Sequence, residues 1–298
     1  MNENFEHGYE RRKELVNEWI RNFTAAEAKK KTSIHQAANY SLNLSGKRIR
    51  PVLVLATAEI LDIKIPAVMD FALAVEILHT ASLIHDDLPC LDNDSLRRGE
   101  PTCHVKFGEP VALLAGDYLI AKAQGIISNS SNISDQSKVA LLKLIGDATE
   151  DLCVGQVMDI EAKDLKCASI EESLQILRQR HLKKTAALIS ASTVCAALIN
   201  NQKADIVAKF KNFGENLGLL FQITDDILDV VSSAEVLGKN PLRDAARGTP
   251  TYVSVHGLDG AKDLAKQVAA EAKASIYDFG EKSIFLTQFT DFVLTRTK

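Results

Sequence analysis

The residues with the densest chemistry lie in two short stretches. These are Ser82-Leu-Ile-His-Asp86-Asp87-Leu-Pro-Cys-Leu-Asp92-Asn-Asp94-Ser-Leu-Arg97-Arg98-Gly99 and Phe221-Gln-Ile-Thr-Asp225-Asp226-Ile-Leu-Asp229. In each, an apolar run ends in adjacent aspartates, with a further carboxylate a turn or more later. Adjacent carboxylates repel, and burying them is costly unless cations offset the charge. Asp225 and Asp229 are four apart and Asp226 and Asp229 three apart, so one helical face presents all three. Asp86 and Asp92 are six apart, out of register on a straight helix. Pro89 interrupts that helix and lets the chain swing Asp92 back beside Asp86. Two such carboxylate claws facing each other suit hard divalent cations, chiefly Mg2+, which takes carboxylate, water and phosphate oxygens. A lone Asp-Asp pair is normally a solvated face. Two pairs after apolar runs, one followed at once by Arg97-Arg98, point instead to metal plus phosphate.

A second set of candidates is basic. Ser45-Gly46-Lys47-Arg48-Ile49-Arg50-Pro51 is a glycine-hinged turn in which Lys47 and Arg50, three apart, point the same way. Pro51 is well placed to open the next helix, and Gly46 allows close backbone approach. His79 lies two turns before the aspartates in an otherwise apolar stretch, which suits a ligand-facing role. Glu76-Ile-Leu-His79 also fits the Glu-x-x-His spacing of di-iron bundles, but no second copy accompanies it. Lys184 and Thr185 stand at the edge of the apolar run that starts at Ala186. Beyond the second claw, residues 237–252 are loop-like and basic.

The elements that must position these groups are helices. Apolar periodicity predicts them over about 10–31, 33–42, 51–62, 66–88, 110–128, 136–165, 170–199, 203–232, 259–277 and 283–296, with a polar loop over 93–109. Hydrophobic residues make up 46% of the 298-residue chain and aromatics 6%, with Ala and Leu plentiful, which favours packed helices over sheets. With no domain boundary and no low-complexity tract visible, the expectation is all-α, one domain over residues 1–298. The net charge of −4 supplies no basic field for nucleic acid. No stretch reaches about 18 uninterrupted apolar residues, so no transmembrane segment is expected, and the N-terminus is no signal peptide. Five cysteines without Cys-x-x-Cys spacing indicate reduced thiols, hence a cytoplasmic expectation.

From about Ser45 to Tyr252 the sequence resembles the trans-isoprenyl diphosphate synthases (the polyprenyl synthetase family), especially their short-chain geranylgeranyl and bacterial farnesyl types. Asp86-Asp87-x-x-x-x-Asp92, followed by Leu-Arg97-Arg98-Gly99-x-Pro-Thr, is similar to the family's first aspartate-rich motif, and Asp225-Asp226-x-x-Asp229 to its second. Gly46-Lys47-Arg48-x-Arg50-Pro51, Leu114-Ala-Gly-Asp117, Gly155-Gln156 and Lys184-Thr185-Ala186 follow in family order. The resemblance implies an isoprenoid synthase helical bundle around a deep central cavity, usually a homodimer. It also implies head-to-tail condensation of isopentenyl diphosphate with an allylic diphosphate. Three Mg2+ ions on the aspartates would hold the allylic diphosphate, with Arg97, Lys184, Thr185, Gln222 and Lys239 beside it. Lys47, Arg50, His79 and Arg98 would take the diphosphate of isopentenyl diphosphate.

Three departures from the family pattern stand out. Ser45 replaces a glycine, Thr249 stands where a lysine is usual with Arg243 and Arg247 nearby, and Pro250 and Val253 alter the same loop. In the family the sequence resembles, bulk just before the first aspartates limits the growing tail, so the resemblance implies that the small Ala81 and Ser82 leave a deep pocket and a C20 product, geranylgeranyl diphosphate. A C15 farnesyl product, or a weakly active partner subunit of a heteromeric prenyl synthase suggested by Thr249, are the alternatives.

Overall fold

The computed structural model describes residues 3–162, 169–236 and 250–296. By contact density the chain divides into two compact units, Asn2–Ile145 with Cys195–Asn201, and Gly146–Val194 with Gln202–Lys298. Both are built from helices, as composition and periodicity led us to expect.

The N-terminal unit contains α1 (Glu3–Glu27), α2 (Ser33–Asn43), α3 (Ile49–Ile60) and α4 (Ile65–Asp86). A short hairpin (β1, Leu96–Arg97; β2, Glu100–Pro101), α5 (Cys103–Phe107) and α6 (Glu109–Ser128) come next. Prolines in the first turns of α3, α4 and α6 (Pro51, Pro66, Pro110) cost no hydrogen bond there and preset the helical φ. The core element is α4, apolar on nearly every side and packed on α3 and α6. Phe71, Met69 and Ile77 are fully buried on it. At about 1.5–3 kcal/mol per buried side chain, this burial fixes the axis of the helix that ends in Asp86.

The region expected as a polar loop after Asp92 is more ordered than that. Leu96 pairs with Pro101 and Arg97 with Glu100, so Arg98 and Gly99 form a two-residue turn. Both have positive φ, +56° and +84°, as the hairpin turn that matches strand twist requires. Tyr40 Oη donates to Pro101 O at 2.7 Å, anchoring the hairpin to α2, and Thr102 N donates to Ser95 O at 3.0 Å, closing its base.

Helices α7 (Asp135–Glu161) and α9 (Ala187–Ile199) supply residues to both units. The C-terminal unit adds α8 (Ile170–His181), α10 (Ala204–Val236), α11 (Tyr252–Ser275) and α12 (Ile284–Thr295). Its core is aromatic: Phe210, Phe213 and Phe289 are fully buried, and Phe210 stacks on Phe279 at 5.0 Å. Two features depart from the periodicity. A π-helical turn over Leu182–Ala186 separates α8 from α9, where one helix over 170–199 was expected. Helix α11 starts at Tyr252, not near 259, because Thr251 and Ser254 form a reciprocal capping box. Gly257, at φ +73°, then kinks it.

The expectation of no transmembrane segment is corrected in one respect. Ile65–Asp86, Glu109–Ser128 and Ile170–Ile199 are long and apolar enough to cross a membrane by length and composition. The uninterrupted-run criterion missed them because each carries scattered polar residues. In α4, 72% of the apolar window is buried, so packing accounts for its composition; in α6 only 33% is. Cys90, Cys103, Cys153 and Cys195 are in no disulfide among the described residues; Cys167 lies outside them.

Candidate active site

In the N-terminal unit the first aspartate motif sits at the C-terminus of α4. The helix ends at Asp86, and Leu88 N bonds to His85 O at 3.0 Å and Leu91 N to Leu88 O at 2.9 Å, winding a tight turn around Pro89. Asp92 N reaches Asp86 O at 2.9 Å, so the six-residue spacing does bring Asp92 back beside Asp86. Asp87 points elsewhere. It is 3% exposed and is gripped by Arg97, with Nε at 2.9 and 2.8 Å from the two carboxylate oxygens and Nη2 at 2.5 Å from Oδ1. Such a fork is among the stronger side-chain pairings.

Beside this motif the structure gathers the basic candidates. Arg98 Nη1 donates to Ser45 O at 2.6 Å, and a Cβ at Gly46 would collide with the same guanidinium, so glycine is what admits Arg98 there. Tyr9 Oη hydrogen-bonds Lys47 O and holds the turn while the Lys47 side chain stays exposed. Arg50 keeps a buried Nε with no hydrogen-bond partner among the described residues. Burial pushes its guanidinium down to about 10, an effect Glu76 partly offsets. Burial, reinforced by Arg50, Arg98, Arg97 and Arg48, holds the His79 imidazole well below its ordinary value, so it is neutral at pH 7. A cluster of cations with an orphaned donor is a site waiting for an anion. Ala81 is fully buried, while Ser82 is half-buried and donates to His79 O at 2.9 Å.

In the C-terminal unit the second motif lies on α10, and its aspartates diverge. Asp225 is exposed, with Oδ1 2.6 Å from Arg296 Nη2 and Oδ2 3.4 Å from Gln222 Nε2. Arg296 is itself fixed by Phe221 O at 2.9 Å, Thr224 Oγ1 at 2.9 Å and the Phe221 ring at 4.7 Å. Asp229 is exposed. Asp226 is buried and accepts from Tyr252 N at 2.7 Å, at the N-terminus of α11 where free N–H groups favour a carboxylate.

Lys184 and Thr185 fall in the π-helical turn, a geometry often found at functional sites. Lys184 pairs with Asp159, and Arg180 Nε lies 3.4 Å from the other oxygen of that carboxylate. Gly155 lets α7 approach the backbone of Lys183 and Lys184, which a Cβ there would block. Arg180 Nη2 also donates to Pro250 O at 2.9 Å, and the His181 ring packs 5.3 Å from that of Tyr252. Lys239, with Arg243, Arg247 and Thr249, lies outside the described residues.

Spacing alone missed Arg48, Arg180 and Arg296, because their partners are distant in sequence. The signal for Glu76 was visible as an acid inside an apolar helix. It is answered by Arg48 Nη1 at 2.8 Å. Among the described residues, no three carboxylate, imidazole or thiolate groups converge into a ready-made metal cage. The all-oxygen donor set of both motifs fits Mg2+, which keeps waters and completes its shell with substrate phosphates.

The polyprenyl synthetase family model matches residues 31–279. The chain is 39% identical over 276 residues to a protein of Arabidopsis thaliana named heterodimeric geranylgeranyl pyrophosphate synthase large subunit 1, chloroplastic, covering 91% of this chain and 73% of that one. It is 43% identical over 270 residues to the chloroplastic geranylgeranyl pyrophosphate synthase of Capsicum annuum, covering 88% and 71%. The crystal structure of a geranyltranstransferase from Thermotoga maritima matches with a TM-score of 0.80 at 32% identity, covering 97% of this chain and 99% of that one. The geranylgeranyl pyrophosphate synthetase from Pyrococcus horikoshii matches with a TM-score of 0.85 at 26% identity, covering 98% of both. With the helical architecture, both aspartate motifs and a family match over most of its length, the chain belongs to the polyprenyl synthetase family of prenyltransferases.

Proposed function

We propose that the protein condenses isopentenyl diphosphate head-to-tail with allylic diphosphates and carries the product to C20, geranylgeranyl diphosphate. The observation that carries this reading is the cation cradle of Arg50 and Arg98 beside neutral His79, with Lys47 exposed on the same turn and the Arg50 Nε left unpaired. In this reading the cradle takes the diphosphate of isopentenyl diphosphate, and residues 1–298 act as a single polyprenyl synthetase domain.

The allylic diphosphate is assigned to Arg97, Lys184, Thr185, Gln222 and Lys239. Asp86, Asp87, Asp92, Asp225, Asp226 and Asp229 are the residues for Mg2+, three ions per site, with Asp87 already engaged by Arg97 and Asp226 by the Tyr252 backbone. Bound Mg2+ would neutralise the departing diphosphate. The allylic C–O bond breaks with its electron pair going to pyrophosphate, and the isopentenyl double bond attacks the resulting cation. A proton is then lost to the pyrophosphate, so no protein base is required. In this reading an apolar lining would have to shield the cation from water. Ala81 and Ser82 leave room for the growing tail.

A homodimer in a reducing compartment completes the reading. The cysteines fit the cytoplasm, and the names of the Arabidopsis and Capsicum relatives make the plastid the other compartment to test by imaging a tagged chain. A second reading, the subunit of a heteromeric synthase, is favoured by the word heterodimeric in the Arabidopsis relative's name. The deciding experiment is mass spectrometry of products formed from isopentenyl diphosphate and dimethylallyl, geranyl or farnesyl diphosphate, with and without Mg2+. A Mg2+-dependent C20 product from the chain alone is expected. A stop at C15 refutes the tail-pocket assignment, and no product from any starter favours the heteromeric subunit.

A further inference from the structure

Glu76 is 2% exposed on α4, one turn before His79. Its partner Arg48 has a left-handed backbone, φ +52°, a conformation that costs about 1–2 kcal/mol outside glycine. That conformation is held from three sides. Arg48 Nη1 bonds to Glu76 at 2.8 Å, Nη2 to Leu42 O and Leu44 O at 3.0 and 2.9 Å, and Nε to Asn17 Oδ1 at 3.1 Å. Every nitrogen of the Arg48 guanidinium is therefore committed to protein, and the group is not presented to a ligand. Its charge still acts on the cradle, as does that of Glu76. The carboxylate supports the charged forms of both Arg50 and Arg98, while Arg48 opposes the charging of His79 and Arg98.

Any diphosphate held by this cradle must also leave it. In head-to-tail condensation the new C–C bond forms once the allylic C–O bond has broken, and pyrophosphate departs from the allylic partner. The product keeps the diphosphate that came in on isopentenyl diphosphate. Each round of elongation therefore ends with the cradle giving up the group it bound. A cradle of fully unopposed arginines would bind tightly and release slowly.

We propose that Glu76 is a positioning residue with a second role: it fixes the turn at Arg48 and caps the positive charge of the cradle, so that the product diphosphate is released between rounds. This rests on the proposed function, because it takes the cradle as the isopentenyl diphosphate site.

The test is Glu76→Gln in the full-length protein. Glutamine keeps an acceptor oxygen for Arg48 at nearly the same volume but removes the negative charge. The expected result is about 5- to 30-fold tighter binding of isopentenyl diphosphate by calorimetry, from one unit charge at several ångströms in a partly screened site. KM for isopentenyl diphosphate and steady-state kcat should both fall, while the single-turnover rate stays near wild type, giving a burst of product. A folded Glu76→Gln protein that binds no more tightly than wild type overturns the proposal. The double variant Arg48→Gln with Glu76→Gln removes one charge of each sign and retains a hydrogen-bonding pair. Its affinity should return to within about threefold of wild type; affinity outside that range, weaker or tighter, overturns the charge-limiting role even if the single variant fails to fold. Wild-type protein that binds no isopentenyl diphosphate refutes the proposed function itself, an outcome distinct from both.

Discussion

Arg97 closes a two-pronged fork on Asp87, burying the second aspartate of the first motif while Asp86 and Asp92 remain beside each other at the turn. Neighbours in sequence thus have different partners. Asp86→Asn should lower kcat/KM by two orders of magnitude or more with little change in the unfolding midpoint. Arg97→Lys, which cannot reproduce the fork, should lower both, costing about 2 kcal/mol in urea unfolding and raising KM for the allylic diphosphate. Equal stabilities for the two variants would contradict this division.

Asp226 caps α11 through Tyr252 N, so its share of the fold's stability rests first on keeping an acceptor there. Asp226→Asn leaves an acceptor in place and should retain stability within about 0.5 kcal/mol, whereas Asp226→Ala should lose about 1–2 kcal/mol. Asp225→Asn should instead weaken Mg2+-dependent diphosphate binding by calorimetry while leaving the melting temperature unchanged. A reversal of these two patterns would exchange the roles.

The Arg296 guanidinium competes with any cation for Asp225 Oδ1. Arg296→Gln should lower the Mg2+ concentration for half-maximal diphosphate binding by about threefold or more. Loss of the contacts to Phe221 and Thr224 should also lower the melting temperature.

Bulk near the end of α4 should shorten the product. Ala81 is fully buried and Ser82 half-buried, so Ser82→Phe adds volume with less overpacking than Ala81→Phe. Both should shift products from C20 towards C15 by mass spectrometry. An unchanged distribution in folded protein would dismiss these positions as the tail gauge.

His79 and His181 should together give stability a slope at mildly acid pH. Both are depressed in the fold by burial first, then by Arg50, Arg98, Arg97 and Arg48 for His79 and by Arg180 and Lys184 for His181. Between their folded values and the unfolded value near 6.5, the unfolded chain binds more protons. Stability is therefore full above pH 6.5 and falls as pH drops below it. Urea midpoints from pH 8 to pH 5 should show the decline, and His181→Gln, away from the cradle, should flatten part of it.

Much of the fold was legible because long helices print their burial on the sequence. The apolar faces of α2 to α4, α6 and α10 were read within a few residues, whereas α1 starts well before the expected position and ends short of it. The π-helical turn was not, because Leu182–Ala186 continues the composition of its neighbours and only the hydrogen bonding changes. The hairpin was missed because Arg98 rarely signals a left-handed turn, and its conformation comes from Gly99 and the tether to Ser45. At the site, residue types and spacing located the aspartates and the cation cradle. They could not divide the aspartates among partners, since Arg97 and Tyr252 approach through tertiary structure.

The five-residue turn at Leu182–Ala186 winds wider than the α-helices on either side, as an extra residue in a helix would. Deleting one residue there would turn α8 by about 100° relative to α9. Arg180 and His181 would lose Pro250 and Tyr252, while Ala186 kept its seat against Gly218. Such a deletion should yield a chain that still folds around α10 but no longer aligns its two flanks. Across descendants of this gene, length in these five positions should vary less than the identity of the residues filling them.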